Sequence, residues 1–243
     1  MILDIYKDSL EYAAKEWKTL IKLGLMTLFS FLLIPIFLII GYNYRVVNQA
    51  VHGVINGKDP LPDYKDLVNM FVDGLKVFII QLIYFIVPVI IFLLFIICAG
   101  NVNGTLSIAL TIIGCLITLI ATVLVCLASQ MGICHMAKHE GALGKAFALS
   151  ELKEVIDEIG WFECILTYVG LIIITVVIAF VVSAIIGIIF TMFGVTSAFL
   201  GANAGGIFIL GALINSAVTM FIVGPYLSIF NARSIGLLYA TQM

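Results

Sequence analysis

Two histidines form the cluster of side chains in this sequence best suited to metal chemistry. His135 and His139 are four residues apart, so a helix would place both on one face, beside Cys134 and Glu140. Histidines at this spacing can bind zinc, but a zinc-protease helix carries the order His-Glu-x-x-His, and here the order is His-Met-Ala-Lys-His-Glu. We therefore interpret both as side chains that cap carbonyls at a helix end and expect no cofactor. His135 and His139 remain the candidate metal ligands.

The sequence lacks the signatures of common catalytic sites. It contains no Gly-x-Ser-x-Gly nucleophile motif, no phosphate-binding loop and no pair of aspartates inside an apolar segment. The number of cysteines is odd and none forms a Cys-x-x-Cys pair, so we interpret the thiols as small apolar groups: Cys98, Cys115, Cys126, Cys134 and Cys164. We expect a protein that is not an enzyme. A metal-dependent membrane enzyme is the alternative that the two histidines leave open.

The strongest polar side chains within the apolar segments are Gln81, Asn215 and Ser216. No Asp, Glu, Lys or Arg lies deep in any of these segments, whereas ion-coupled carriers place an ionisable residue where the ion or proton binds. This absence argues against a proton- or sodium-coupled carrier. A passive polar path that reaches Gln81 or Asn215 remains open.

Small residues repeat every four positions along two of the apolar segments. One series contains Gly114, Thr118 and Thr122, and the other contains Ser183 and Gly187. Small side chains at this spacing let helix backbones approach closely in lipid, where packing drives association. We predict that these are helix-packing positions, with a polar path as the alternative.

The composition indicates a membrane protein. The chain has 243 residues, of which 63% are hydrophobic and 11% charged, whereas soluble domains carry about 45–50% apolar and about 25% charged residues. Its net charge is -2, which excludes nucleic acid as a partner, because phosphate binding needs clustered positive charge. Charged residues are absent from three runs: 23–44, 77–137 and 164–232.

Each of the two longer runs can cross a membrane twice, because one crossing takes about 20 apolar residues. Turn-forming residues lie near their middles, at 100–105 and 196–206. We predict four spans, at about 77–99, 106–130, 164–190 and 206–230. The charged loops around 45–76 and 138–163 then share one face with the C-terminus, and the positive-inside rule makes this face cytoplasmic. The predicted fold is an all-α polytopic bundle in the cell membrane.

The first apolar run, 23–44, can either cross the membrane or turn back. A full crossing would place Lys7, Lys15, Lys18 and Lys22 outside, contrary to the charge rule. A kink or re-entrant turn at Pro35, whose nitrogen cannot donate to the helix ladder, keeps the N-terminus on the charged face. We favour this arrangement and keep the crossing as the alternative.

Three charged stretches carry apolar residues at spacings of three and four, which predicts amphipathic interfacial helices within residues 3–20, 61–78 and 152–162. In the first of them, Asp4 and Asp8 fall on the polar face. Because that stretch carries acids as well as bases, we expect no cleaved signal peptide. Each stretch leads into an apolar run, so one membrane domain, 1–243, contains a weak threefold internal repeat with units of about 1–57, 58–141 and 142–243.

A set of short motifs covers about residues 17–90. They are Lys-Leu-Gly-Leu before the first apolar run, Gly41-Tyr42 with Arg45, Gly57 with Asp59, Leu61-Pro62-Asp63-Tyr64, and Phe71-Val72-Asp73-Gly74-Leu75-Lys76, with Tyr84 and Pro88 in the next span. Together they resemble a family of archaeal integral membrane proteins known as domain of unknown function 4013. That family often has Trp where Tyr64 stands here. The resemblance implies an archaeal multi-pass membrane protein and supplies no activity.

These observations predict a non-enzymatic multi-pass membrane protein with a structural or partner-organising role in the bilayer. Its expected partners are membrane lipids, together with other membrane proteins or further copies of the chain. The alternative function is that of a passive transporter or lipid-handling protein, with a path between the helix pairs.

Overall fold

Long helices built from the uncharged runs dominate the structure. The computed structural model of the chain describes residues 1–201 and 204–242, and no strand occurs in these two ranges. Four helical segments are long and apolar enough to cross a membrane: Leu67–Gly100, Thr105–Lys138, Trp161–Phe199 and Gly205–Ala240. The first three are helices α4, α5 and α7. The predicted all-α polytopic membrane fold with four spans is thereby confirmed.

The fourth span is helical throughout but not uniform. It consists of α8 (Gly205–Val218), a π-helical turn (Thr219–Val223) and α9 (Gly224–Ala240). Pro225, the second residue of α9, has no N–H to donate to the preceding turn, and the wider π turn absorbs this interruption. Of the predicted turn at 196–206, residues 202 and 203 lie outside the described ranges.

The first apolar run forms a helical hairpin. Helix α2 (Trp17–Leu28) is followed by a 3₁₀ turn (Ser30–Leu32) and by α3 (Ile34–Val51), which has Pro35 in its first turn. Leu33 has φ 63°, and this left-handed residue separates the turn from α3. The helix is therefore broken just before Pro35, and the run folds back as in the re-entrant arrangement that the charge rule favours.

The hairpin is too short to cross the membrane. The ring of Tyr64 stacks on that of Tyr42 with a centroid distance of 4.6 Å, and its hydroxyl donates a hydrogen bond to the Thr19 carbonyl. Thr19 in α2 therefore lies at the level of Tyr42 in α3. From Ile34 to Tyr42 the helix rises about 12 Å, less than half of a bilayer core of about 30 Å. The tip exposes only apolar side chains, and its backbone is satisfied by short-range bonds such as Leu33 N–H to the Ser30 carbonyl.

Two short helices lie at the charged ends of the spans: α1 (Ile2–Ala13) and α6 (Leu149–Ile159). Helix α6 buries four of the five apolar residues that the spacing predicts, whereas Phe162 lies in α7 and is exposed. The buried face of α1, in contrast, contains Asp8 as well as Ile5 and Tyr12, while Leu3 is 79% exposed. The predicted polar position of Asp8 is therefore wrong, because a distant arginine pairs with this carboxylate inside the protein.

The predicted helix at 61–78 does not form as a separate element. Residues between α3 and Leu67 are not helical, and α4 starts after Asp66, whose carboxylate accepts a hydrogen bond from Asn69 N–H. The two prolines of this loop disfavour a helix. In addition, Arg45 donates to three loop carbonyls, those of Asp63, Lys65 and Asp66, at 2.6–2.9 Å.

The core of the protein lies at the charged end of the bundle. The buried residues of α5 are concentrated at Leu127–Ala137 and those of α7 at its beginning, up to Leu171. Helix α4 packs along α5 in one long hairpin, and α7 packs along α8 in the other, and α5 joins the two through its contacts with α9 and α7. Helices α3 and α9 fill the space between them at the charged end. The rest of each hairpin exposes apolar side chains to the bilayer.

Helices α3 and α4 cross at unusually close range. A Cβ atom on Gly41 would collide with the Met70 carbonyl oxygen, and one on Gly74 would collide with the Phe37 carbonyl oxygen. Two glycines on facing helices therefore let the backbones touch. This crossing fixes α3 beside α4 and so positions one wall of the cavity described next. The predicted division into three repeat-like units remains a prediction.

Candidate functional site

A cavity of about 420 Å³ lies between the two long hairpins, near the charged end. Helices α3, α4, α5, α7 and α9 all contribute to its wall, so it lies where the elements of the fold converge. Most of the lining is aliphatic, and the polar groups include Asn43, Tyr44, Gln81, Gln130, Thr175 and Asn231. Among the described residues, none of those that line it carries a charge.

Several polar atoms of this cavity have no partner within the described ranges. The Asn43 Oδ1 and Tyr44 Oη atoms are buried and accept or donate no hydrogen bond there. The carboxamides of Gln81, which is exposed, and of Gln130, which is half-buried, also line this cavity. Asn231 is different, because its Nδ2 donates to the Leu227 carbonyl at 2.8 Å and contacts Thr175 Oγ1 at 3.2 Å. The cavity therefore presents unused donors and acceptors of neutral charge.

A second cavity, of about 380 Å³, lies between α4 and α5. Gln81 and Gln130 line both cavities, so these two carboxamides stand where the cavities adjoin. Ser129, whose hydroxyl oxygen is buried without a partner in the described part of the chain, lines the second cavity. The arrangement connects polar groups inside the bundle with the lipid-facing side of the α4/α5 hairpin.

The three residues predicted to line a polar path are not brought together. Gln81 lines both cavities, whereas Asn215 and Ser216 lie on α8 and line neither of them. Asn215 is half-buried and Ser216 is exposed. Asn215 and Ser216 therefore share neither of these two cavities with Gln81.

The small-residue series differ in their surroundings. Gly114 is buried against Phe95, whose Cβ lies 2.5 Å from the position that a Cβ on Gly114 would take. Thr122 uses its hydroxyl to bond the Thr118 carbonyl of its own helix at 2.7 Å. Around Gly187, one turn after the half-buried Ser183, no described atom lies within 4 Å of a Cβ position. The predicted close packing at Gly187 is thus wrong within this chain, because α7 faces the bilayer there.

The two candidate metal ligands lie at the end of α5, in a polar cluster. His135 is buried, with Nδ1 2.6 Å from Tyr239 Oη and Nε2 2.9 Å from Glu151 Oε2. Lys145 Nζ lies 2.8 Å from both oxygens of Glu151. The bonds from Lys145 and His135 lower the pKa of the Glu151 carboxyl to about 2. Sequence spacing suggested Glu140 as the acidic neighbour, but α6 supplies Glu151 instead.

His139 does cap a carbonyl, as its position predicted. Its Nδ1 lies 2.9 Å from the backbone oxygen of His135. The two imidazole rings are close, with centroids 4.3 Å apart. One donor atom each from His135, His139 and Glu151 lies within 4.8 Å of the others.

A second buried polar cluster was not predicted from the sequence. Arg233 in α9 is fully buried, with Nε 3.1 Å from Asp8 Oδ1 and Nη2 2.9 Å from Asp59 Oδ2. Its guanidinium carbon lies 4.6 Å from the ring centroid of Tyr12. Burial raises the pKa of the Tyr12 hydroxyl, which donates to the Gln49 side chain and the Pro60 carbonyl. The sequence feature that could have indicated this cluster is that Arg233 is the single charged residue after Glu163.

Comparison with known proteins gives one match. The family model described as Protein of unknown function (DUF4013) matches residues 28–191, more than half of the chain. The match begins after the Lys-Leu-Gly-Leu motif and continues past residue 90, through α5 and into α7, so the family likeness extends further than the motifs that first suggested it. No curated protein and no solved structure matches the chain.

Proposed function

This chain belongs to the family Protein of unknown function (DUF4013), and we propose that it is a lipid-handling membrane protein. It takes up an uncharged polar lipid from the bilayer into the cavity between its hairpins. The observation that supports this function is a cavity of about 420 Å³ lined by Asn43 and Tyr44, each of which has a buried polar atom without a partner in the described ranges, and by the carboxamides of Gln81 and Gln130.

The energetic argument concerns polar groups in an apolar environment. An amide or hydroxyl that loses water without gaining a hydrogen bond costs about 2–7 kcal/mol. Several such groups around one cavity require an occupant that can donate and accept. Since one water takes about 30 Å³, the cavity has room for a lipid headgroup together with the start of a chain. The apolar flanks of the two hairpins offer a surface for the remainder of that chain.

The chemistry of the lining selects the class of lipid. Carboxamides and hydroxyls bind hydroxyl, ester, ether and amide groups, because they both donate and accept hydrogen bonds. A phosphate or another charged headgroup would need an opposite charge to offset its desolvation, and the described lining contains none. The proposed ligand is therefore a lipid whose polar part is neutral.

Lipid handling fits the cavity better than passive transport across the bilayer. A transport path would have to continue towards Asn215, and that residue lies away from both cavities. A purely structural, partner-organising role would make no use of the unpartnered groups. We further propose that the charged face is cytoplasmic, in accordance with the positive-inside rule, and that the protein resides in the cell membrane of an archaeon.

The test is lipid retention by the full chain purified in mild detergent and analysed by native mass spectrometry. We expect about one neutral lipid per wild-type chain. Ala232 lines the cavity and Ala109 is exposed on α5, so A232F should abolish retention while A109F should preserve it. Since A232F could disturb folding, Q81L, which changes an exposed side chain, provides a second variant and should reduce retention.

Two results would refute the proposal. One is a wild-type chain that retains no neutral lipid under conditions in which it stays folded. The other is equal retention by the wild type, Q81L and a folded A232F, since a lipid bound only to the outer surface would not respond to cavity substitutions.

A further inference from the structure

We propose that His135, His139 and Glu151 form a binding site for a divalent transition-metal ion of the zinc class, at the junction of α5 and α6. One donor atom from each residue lies within 4.8 Å of the others. Two imidazoles and one carboxylate are a common three-ligand set for zinc, which leaves a fourth position to water. None of the three residues lines either cavity, so this site is independent of lipid binding.

The hydrogen bonds around His139 leave it ready to act as a ligand. Its Nδ1 lies 2.9 Å from the backbone carbonyl oxygen of His135. A carbonyl oxygen only accepts, so Nδ1 carries the hydrogen, and in the neutral ring the lone pair lies on Nε2. This is the arrangement in which a backbone carbonyl holds a metal-binding imidazole in one tautomer.

His135 has the same kind of support from a different partner. Its Nδ1 lies 2.6 Å from the Tyr239 hydroxyl oxygen, which can either donate to this nitrogen or accept from it. When Nε2 binds a metal ion, Nδ1 carries the hydrogen and donates it to Tyr239. Tyr239 is then a positioning residue that fixes the orientation of the ring without touching the ion.

The distance between the His135 and Glu151 ligand atoms requires only a small adjustment. Zinc–nitrogen and zinc–oxygen bonds of about 2.0–2.2 Å in tetrahedral geometry place two ligand atoms about 3.4 Å apart. His135 Nε2 and Glu151 Oε2 are 2.9 Å apart. An ion entering between them would displace the hydrogen from Nε2 while the neutral ring takes up one proton from solvent at Nδ1, and the pair would open slightly.

Lys145 competes with the ion for Glu151. Its ammonium lies 2.8 Å from both carboxylate oxygens, so a metal ion must displace this bond and then repels the ammonium. Lys145 is partly exposed and can turn away into water. The structure therefore makes a directional prediction: removing the ammonium should strengthen metal binding, although it removes an ion pair from the protein.

The experiment is a titration of the metal-stripped full chain in detergent with Zn²⁺ alone, followed by calorimetry. Co²⁺ absorption serves to report the ligand geometry. We expect one ion per wild-type chain. H139A should weaken binding at least tenfold, Y239F should weaken it about 10–100-fold, as outer-shell changes do, and K145M should tighten it. His52, a histidine outside the cluster with its ring bound to the Asn48 carbonyl, provides the matched control, and H52A should bind like the wild type.

Three outcomes would overturn the site. The first is absence of Zn²⁺ binding by the folded wild type, even if K145M binds the ion. The second is unchanged affinity in a folded H139A chain. The third is a loss of affinity in H52A equal to that in H139A. If H139A does not fold, H139Q replaces it, and the effects of K145M and Y239F still distinguish a metal site from a cluster that only supports the fold.

Discussion

Arg233 and Asp8 are 225 residues apart in the sequence and form a buried ion pair, with Nε 3.1 Å from Oδ1. The pair connects the first helix to the last one. Asp8 also accepts a hydrogen bond at 2.6 Å from the backbone N–H of Asn56, in the loop after α3. A single guanidinium thus organises three distant parts of the chain at the charged end of the bundle.

Removing one partner of this pair should be costly. In R233M the carboxylate of Asp8 stays buried without its cation, and breaking a buried pair in this way costs about 3–5 kcal/mol. D8N/R233M should cost less than the sum of the two single substitutions, since neither charge is then left alone. The measurement is unfolding of the purified variants in detergent. K65M, which removes an exposed ion pair with Asp63, is the control and should leave stability unchanged. Additive effects in the double variant would contradict the proposed coupling.

The crossing of α3 and α4 should tolerate no side chain. G41A and G74A each force a methyl group against a backbone carbonyl, and overpacking of this kind costs about 1–3 kcal/mol or more. G187A adds the same methyl group where no described atom lies nearby, so we expect a neutral effect or a gain of up to about 1 kcal/mol from helix propensity. Melting temperatures of the three variants decide the matter, and a G187A chain as unstable as G41A would disprove the interpretation.

The acid dependence of stability should reflect Glu151. Its pKa is lowered from the ordinary value of 4.5 to about 2, so its charge stabilises the folded state at pH values above 4.5. That contribution declines as the pH falls from there towards 2. We expect the difference in melting temperature between the wild type and E151Q to persist at pH 5 and to shrink between pH 4 and pH 2. A difference that disappears above pH 5 would show that the carboxylate is not held by Lys145 and His135.

The hairpin formed by α2 and α3 gives a prediction about topology. Because it turns back at residues 29–33, we expect the N-terminus and the C-terminus to lie on the same side of the membrane. Reporter fusions at the two ends should therefore give the same response in intact cells. Reporters on opposite sides would mean that residues 23–44 cross the bilayer, as in the alternative that the sequence left open.

Much of this fold could be predicted because charge alone separates water from lipid. The uncharged runs predicted the four spans, and the turn residues at 100–105 predicted the end of α4 to within one residue. Helices α4 and α5 and the fourth span are longer than predicted at their charged ends, because residues such as those between Leu127 and Ala137 continue the helix into the core, whereas α7 is longer mainly at its uncharged end. The loop before Leu67 was missed, because its conformation depends on Arg45 binding distant carbonyls.

The candidate sites were predictable only in part. Gln81 was found because a carboxamide in an apolar span is conspicuous, and His135 with His139 because four residues make one helical turn. Glu151, Lys145 and Tyr239 come from other helices, and no spacing along the chain reveals them. The same holds for the cavity, whose position depends on where the glycines of α3 and α4 let two helices touch.

The occupant of the cavity tests the account most directly. An experimental structure of the chain in lipid nanodiscs should show elongated density between the hairpins, with its polar end within hydrogen-bonding distance of Gln81, Gln130 or Asn43. A cavity that contains only separate water-sized peaks, or one that has closed by repacking of α5 against α7, would contradict the lipid-handling function.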